Sequence, residues 1–386
     1  MDVRRGGSPR LFIITSCSIR VSISSKSIPT RSNPILSTLV PKMTDQPAAS
    51  AHDGPELVPA LQAGDEMEDN SDDDADSALG DDAASSTNSI TASILEYRTI
   101  QGRTYHSERH ESQYFAPNDE QQMHSQDITH HYLTIMLDDK LFLAPVKDDM
   151  ERVLDVGTGT GIWAIDVGDQ YPNAEVLGTD LSPTQPLWVP PNVKFEIDDC
   201  TKEWTWPSDH FDFIHMRYLF GAIGDWSKLF QQAFRCCKPG GWVQSCECDV
   251  IMCSDDGTIK EDGIIKTFWN PLWKELSKKI GLSFQVLENR FQNKGLEEAG
   301  FVDIKEVNFK LPIGPWPADK KLAEIGGLTL LTLINDLEGY VLVPWNIVHG
   351  EDTPGCQVTL AHLRKELKSK SMHAYMKVRY IYGRKP

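Results

Sequence analysis

The chain has 386 residues and a formal net charge of −18; 40% of its residues are hydrophobic, ten of them tryptophan. That length and composition can bury a sizeable core, which excludes a wholly disordered chain. Residues 1–42 carry +6, residues 43–97 carry −14 and residues 98–386 only −10, so nothing points to a groove for direct nucleic-acid binding.

Residues 1–42 are rich in serine and basic residues and hold a single acid. This basic leader reads either as a mitochondrial transit peptide or as translated sequence ahead of a natural start at Met43. The abrupt change of composition at Met43 favours the second. The expected location is cytoplasmic or nuclear, and mitochondrial if the leader is a transit peptide. Residues 43–88 form an acidic tail with the run Asp72-Asp73-Asp74. Such a segment buries too little apolar surface to offset chain entropy, so it is expected to be disordered, and it is a candidate contact for a protein partner. Residues 89–386 are expected to form one domain. No apolar run approaches the roughly 20 residues of a membrane span. The eight cysteines include no CxxC pair. They read as reduced thiols, with Cys246, Cys248 and Cys253 in a strand and no metal expected.

Helix-spaced apolar residues over 89–100 and 119–143 predict a helical N-terminal cover. Strands and helices then alternate. Val153–Val156 is a short buried strand, and Trp163–Asp169 the helix after it. Glu175–Gly178, Val193–Ile197 and Phe211–His215 are further strands. Trp226, Leu229, Phe230, Ala233, Phe234 and Cys237 recur at helical spacing behind Asp225, a plausible N-cap. Lys238-Pro239-Gly240-Gly241 ends that helix before the strand Trp242–Cys246. Helices are expected near 262–281 and 285–299, a strand from Gly300 to Phe309, helices over 318–370, and a last strand Tyr375–Tyr382. The fold class is α/β: a Rossmann-like, seven-stranded, mostly parallel sheet with helices on both faces. A helical insertion precedes its last strand.

The strand Val153–Val156 runs into Gly157-Thr158-Gly159-Thr160-Gly161 and then a helix. Such a turn lets backbone N–H groups approach a nucleotide-like ligand. Gly159 to Ala164 even fits the GxGxxA dinucleotide fingerprint, so an NAD-dependent dehydrogenase is a third, weaker reading. The acids sharpen the choice. Asp155, at the strand end, could pair with an ammonium group, which S-adenosylmethionine has and NAD lacks. Asp180 ends the second strand, where a carboxylate accepts from ribose hydroxyls. Asp199, after the third strand and before Cys200, could accept from an adenine amino group.

The order Asp155-x-Gly157-x-Gly159-x-Gly161, Asp180, Phe211-Asp212-Phe213-Ile214, Lys238-Pro239-Gly240-Gly241 resembles the motifs of Rossmann-like S-adenosylmethionine-dependent methyltransferases. Val153–Asp166, Thr179–Ser182, Pro190–Asp199, Phe211–Arg217, Leu95–Arg98, Gly102–His106, Pro117–Glu120 and Tyr382–Pro386 are similar to the fungal LaeA-like members. The resemblance covers residues 89–386. It implies S-adenosylmethionine as cofactor, held by Asp155, Gly157, Gly159, Gly161, Asp180, Leu181, Asp199, Cys200, Met216 and Arg217. Two departures fall where substrate is expected. Gln244 replaces the usual glutamate after Gly-Gly-Trp-Val, and Glu351–Cys356 differs from the family pattern.

Methyl transfer is an in-line displacement that depends chiefly on alignment and desolvation. A general base is needed only for a protonated nucleophile. The candidates are His215 and Glu247, with His349 and His373 further away. Trp204 and Trp206 are expected beside adenine or in the core. Trp316, Leu330, Leu333 and Trp345 are expected to line the insertion or fill it. Two functions remain: a methyltransferase acting on a small molecule or a protein in fungal secondary metabolism or its regulation, or a cofactor-binding regulator that acts through protein partners with little turnover.

Overall fold

The structure, a computed structural model, describes residues 97–107, 114–351 and 354–386. The basic leader, the acidic tail and the start of the expected cover lie outside these residues.

Arg98–Ile100 (β1) and Arg103–Tyr105 (β2) pair as an antiparallel hairpin. A helix was expected up to residue 100. Instead Gln101 and Gly102 both take positive φ, 48° and 84°. That is the pattern of a tight two-residue hairpin turn, and it overrides the helical spacing. The cover's helix is Glu120–Met136 (α1), capped by Asp119, whose side chain accepts from the Gln122 amide. It ends short of residue 143 because Asp138 and Asp139 adopt left-handed backbone. Leu141 and Phe142 leave the helix line and pack on the sheet core.

The strands that follow are Arg152–Val156 (β3), Glu175–Asp180 (β4), Val193–Ile197 (β5), Phe211–Arg217 (β6), Cys237–Cys253 (β7), Val302–Ile313 (β8) and Ala374–Arg384 (β9). They form one sheet in the order β5-β4-β3-β6-β7-β9-β8. The first five are parallel, while β9 lies antiparallel between β7 and β8. The strand order reverses between β3 and β6, which run parallel, so a switch point opens at their carboxyl ends, where open α/β sheets bind ligands.

Ile162–Gln170 (α2) packs Trp163, Ala164 and Val167 on Val153, Val176 and Phe213. Trp226–Cys236 (α3) and Phe291–Ala299 (α5) cover the other face, against Leu154, Val156, Ile214 and Met216. Asp225 caps α3 by accepting from the Lys228 amide. Successive residues of β3 and β6 thus serve opposite cores, as the two-residue strand period requires.

β7 runs well past the expected strand end at Cys246. Its outer half pairs with β9 as far as Cys253 opposite Tyr375. Cys246 and Cys248 are buried strand thiols. A π-type turn, Ile265–Trp269, leads into Asn270–Ile280 (α4). The insertion between β8 and β9 consists of Lys320–Asn335 (α6), Leu337–His349 (α7) and Cys356–Leu367 (α8). These helices, α1, α4 and the outer halves of β7 to β9 share the largest apolar core. No single helix among the described residues is long and apolar enough to cross a membrane.

Arg103 ties the cover to the insertion. Its guanidinium donates to Asp119 through Nε (2.5 Å) and Nη2 (2.7 Å), and to Asp336 through Nη1 (2.5 Å) and Nη2 (3.0 Å). Asp336 is fully buried and also accepts from the Gly339 amide at the start of α7.

Candidate active site

The glycine loop after β3 is left-handed three times over, at Gly157, Gly159 and Gly161 (φ 70°, 59° and 81°). A Cβ on Gly161 would stand 2.4 Å from the Phe195 ring, and one on Gly157 2.5 Å from Leu219. Thr158 N–H donates to Thr179 O (2.8 Å), which lashes the loop to β4. From the other side α1 closes on it. Thr160 Oγ1 donates to Asp127 (2.7 Å), and His130 Nε2 meets Asp166 Oδ2 at 2.9 Å.

Asp180 accepts from the Gly159 amide (2.8 Å) and the Ser182 amide (3.1 Å). Burial pushes its carboxyl up to about 6, against the pull of those amides. One continuous cavity is lined by Gly157, Gly159, Asp180, Leu181, Asp199, Cys200 and Arg217. Asp199 Oδ1 accepts from the Thr201 amide (3.0 Å) and hydroxyl (2.7 Å), which turns the chain after β5. Arg217 Nη1 lies 3.2 Å from His130 Nδ1.

Other expected positions lie elsewhere. Asp155 is buried beneath the loop, with both oxygens engaged: Oδ2 by Thr158 Oγ1 (2.6 Å) and Oδ1 by His215 Nδ1 (2.7 Å). It shapes the loop and does not line the cavity. Gly161 precedes α2 and does not line the cavity. Met216 alternates away from Arg217 into the core beneath α3.

Both expected bases are corrected as well. His215 stacks on Trp163, with ring centroids 3.7 Å apart, and does not reach the cavity. Burial lowers its pKa despite the Asp155 contact. Glu247 points to the opposite face of β7 from Cys248 and accepts from the Leu219 and Phe220 amides (3.0 Å each). Desolvation pushes its carboxyl up to about 8. It holds the segment after β6 in place. That segment includes Tyr218, a bulky residue at φ 56°, and such strain persists only where the surroundings impose it.

The raised Glu247 value carries a stability consequence. Between its ordinary 4.5 and about 8 the folded chain holds a proton that the unfolded chain has released. Folding is therefore destabilised as pH rises through that window. In Glu247→Gln the fall in melting temperature between pH 5 and pH 9 is expected to shrink. Calorimetric scans of both proteins across that range would check it; parallel pH profiles would contradict it.

Gln244, a departure expected to bear on substrate, lies away from the cavity. Its Oε1 accepts from the Leu143 and Ala144 amides (2.8 and 2.9 Å). Of the other departure, Glu351 lines a second cleft, and residues 352–353 lie outside the described residues. Trp204 and Trp206 serve the core under α3: Trp204 is buried and donates to Cys200 O at 3.0 Å. Leu333 lines the cavity, whereas Trp316 stacks on His373 and Trp345 contacts His349.

The cavity fits S-adenosylmethionine. The Asp180 carboxylate suits ribose hydroxyls. Asn118 Oδ1 and Gln122 Oε1 are buried, unpartnered acceptors on the same lining. Such atoms suit a cationic donor like the methionine ammonium, the task expected of Asp155. A glycine loop at the switch point of a sheet with this order and one reversed strand defines a Rossmann-like, S-adenosylmethionine-dependent methyltransferase.

Comparison with known proteins agrees. The "Methyltransferase domain" family model matches residues 128–297. The chain is 36% identical to "Methyltransferase pytC" of Aspergillus terreus over 306 residues, 79% of this chain and 93% of the relative. It is 34% identical to "Secondary metabolism regulator LAE1" of Cochliobolus heterostrophus over 291 residues, covering 74% and 94%. It is 31% identical to "Protein-methionine methyltransferase laeA" of Emericella nidulans over 293 residues, covering 75% and 77%. The chain belongs to the LaeA-like family of S-adenosylmethionine-dependent methyltransferases.

Proposed function

We propose that the protein methylates a small molecule in fungal secondary metabolism. The observation that carries this reading is the continuity of the cavity. From the glycine loop and Asp180 it runs past Arg217 to Trp269, Trp273, Thr332, Leu333 and Tyr340 of the π-type turn, α4 and the insertion. An acceptor held there faces the cofactor end and is screened from water, the conditions that displacement at a sulfonium methyl requires. When bound, S-adenosylmethionine supplies an electrophilic methyl group: the acceptor's electron pair forms the new bond and the sulfur keeps the pair of the broken one. Gly157, Gly159, Asp180, Leu181, Asp199, Cys200 and Arg217 are the residues proposed to hold it, with Asn118 and Gln122.

The full chain, incubated with methyl-labelled S-adenosylmethionine and a fungal extract, is expected to place label in the small-molecule fraction. Label confined to protein would overturn the small-molecule acceptor. Label in neither fraction would favour the regulatory reading, which the name of the LAE1 relative supports.

A further inference from the structure

The cavity divides by charge. Its carboxylates and its cation, Asp180, Asp198, Asp199 and Arg217, come from the ends of β4, β5 and β6 or just beyond them. Every lining residue from β7, β9, α4, the π-type turn before it and the insertion is uncharged. Two tryptophans and a tyrosine, Trp269, Trp273 and Tyr340, line that inner chamber, and Tyr218 borders it beside Arg217.

Three side chains that line the chamber each carry a buried polar atom without a partner. Trp269 Nε1 donates to Val250 O at 2.8 Å, but Trp273 Nε1 has no acceptor. Thr329 and Thr332, one turn apart on α6, both leave their hydroxyls unpaired. The three side chains are 2%, 1% and 5% exposed. An unpaired buried group is costly in the folded protein, and such groups mark a place where a ligand can complete the pairing.

The lining groups His106, Asp180, Tyr132, Tyr218 and Cys248 do not offer the acceptor a general base. His106 accepts the Tyr114 amide on Nε2 (2.9 Å), which leaves Nδ1 to donate to Ser107 O (3.0 Å). Asp180 is engaged by the loop amides. Burial raises Tyr218 and Cys248 well above their ordinary range and Tyr132 to about 12.

We infer that the inner chamber takes an uncharged, flat aromatic or conjugated acceptor that bears a carbonyl for Trp273 and phenolic or enolic hydroxyls for Thr329 and Thr332. The reading rests on the small-molecule methyltransferase proposed above and narrows it. Phenols and enols release their proton to water near neutral pH far more readily than alcohols do. The oxygen left behind supplies the pair for the new O–CH3 bond, so no protein base is required. A permanent anionic group elsewhere on the acceptor would face a chamber wall without a cation, whereas the charge on the reacting oxygen would be met by the sulfonium of the bound cofactor.

Calorimetry on the full chain with S-adenosylhomocysteine bound would test this. The probes are 1,8-dihydroxyanthraquinone, which carries carbonyl and phenol groups, and anthraquinone-2-sulfonate, which is of similar size but charged. The neutral probe is expected to bind at least tenfold more tightly. Trp273→Phe keeps an aromatic ring but loses the donor, and is expected to weaken the neutral probe about fivefold to tenfold. Thr329→Val with Thr332→Val removes both hydroxyls at nearly constant volume. It is expected to weaken the neutral probe while melting temperature holds or rises, since two unpaired buried groups are gone. Equal affinity for the two probes would overturn the inference. So would unchanged neutral-probe affinity in both variants. Loss of S-adenosylmethionine binding with probe binding intact would sink the methyltransferase reading and leave the chamber assignment standing.

Discussion

Replacing Arg103 with alanine is expected to destabilise the fold by about 3–5 kcal/mol, the scale for removing one partner of a buried ion pair. The reason is geometric. Asp336 has no exposure, and Arg103 supplies two of its hydrogen bonds along with its counter-charge. The Gly339 amide alone would remain to a buried carboxylate. Arg103→Lys is expected to rescue only partly, because an ammonium cannot form two bonds to each of two carboxylates. Denaturant titration of the three proteins would measure this. A loss below about 1 kcal/mol in Arg103→Ala would show that the cover and insertion hold together without the clamp. The clamp also joins β2, the start of α1 and the start of α7, and both helices line the cavity. Cofactor affinity should fall with stability.

Asp180→Ala is expected to weaken S-adenosylmethionine binding by about 1.5–3 kcal/mol, the scale of hydrogen bonds to a charged group. The substitution removes the expected ribose acceptor and also frees the Gly159 amide from β4. The pH dependence supplies an independent check. The free protein's Asp180 titrates near 6, and ribose hydroxyls favour its ionised form. Affinity should be flat above pH 7 and should fall about tenfold per unit as pH drops below 6, with a proton released on binding in that range. Asp180→Asn should lose that slope. Calorimetry across pH 5–8 in two buffers of different ionisation enthalpy would read both effects; an unchanged affinity in Asp180→Ala would remove Asp180 from the site.

The outline of the fold was legible because its signals are local. Glycines at alternate positions after Val153–Val156, acids at strand ends and the helical spacing from Trp226 to Cys236 each lie within one element. The hairpin at Gln101-Gly102 is masked in the sequence by helix-spaced apolar residues that run into its first strand. Within the site, Gly157, Asp180, Leu181 and Arg217 reach the cavity because chain order brings them to the carboxyl ends of adjacent strands. His215, Glu247 and Met216 occupy comparable sequence positions and do not reach it. Strand alternation sends Met216 beneath α3 and Glu247 to the face behind Cys248, while stacking on Trp163 holds His215 under the glycine loop.

No single segment carried a sign of the acceptor chamber. Trp273 of α4 is far in sequence from Thr329, Thr332 and Tyr340 of the insertion, and they meet only when the insertion folds back on β7 and α1. Whether a buried tryptophan or threonine is satisfied depends on atoms from other elements, which residue spacing does not encode. The sequence by itself determined the sheet, the cofactor loop and where the −18 charge resides, since these follow from local pattern and composition. Only the tertiary structure decided which acids face the ligand, which are spent on backbone amides, and what kind of molecule the inner chamber would satisfy.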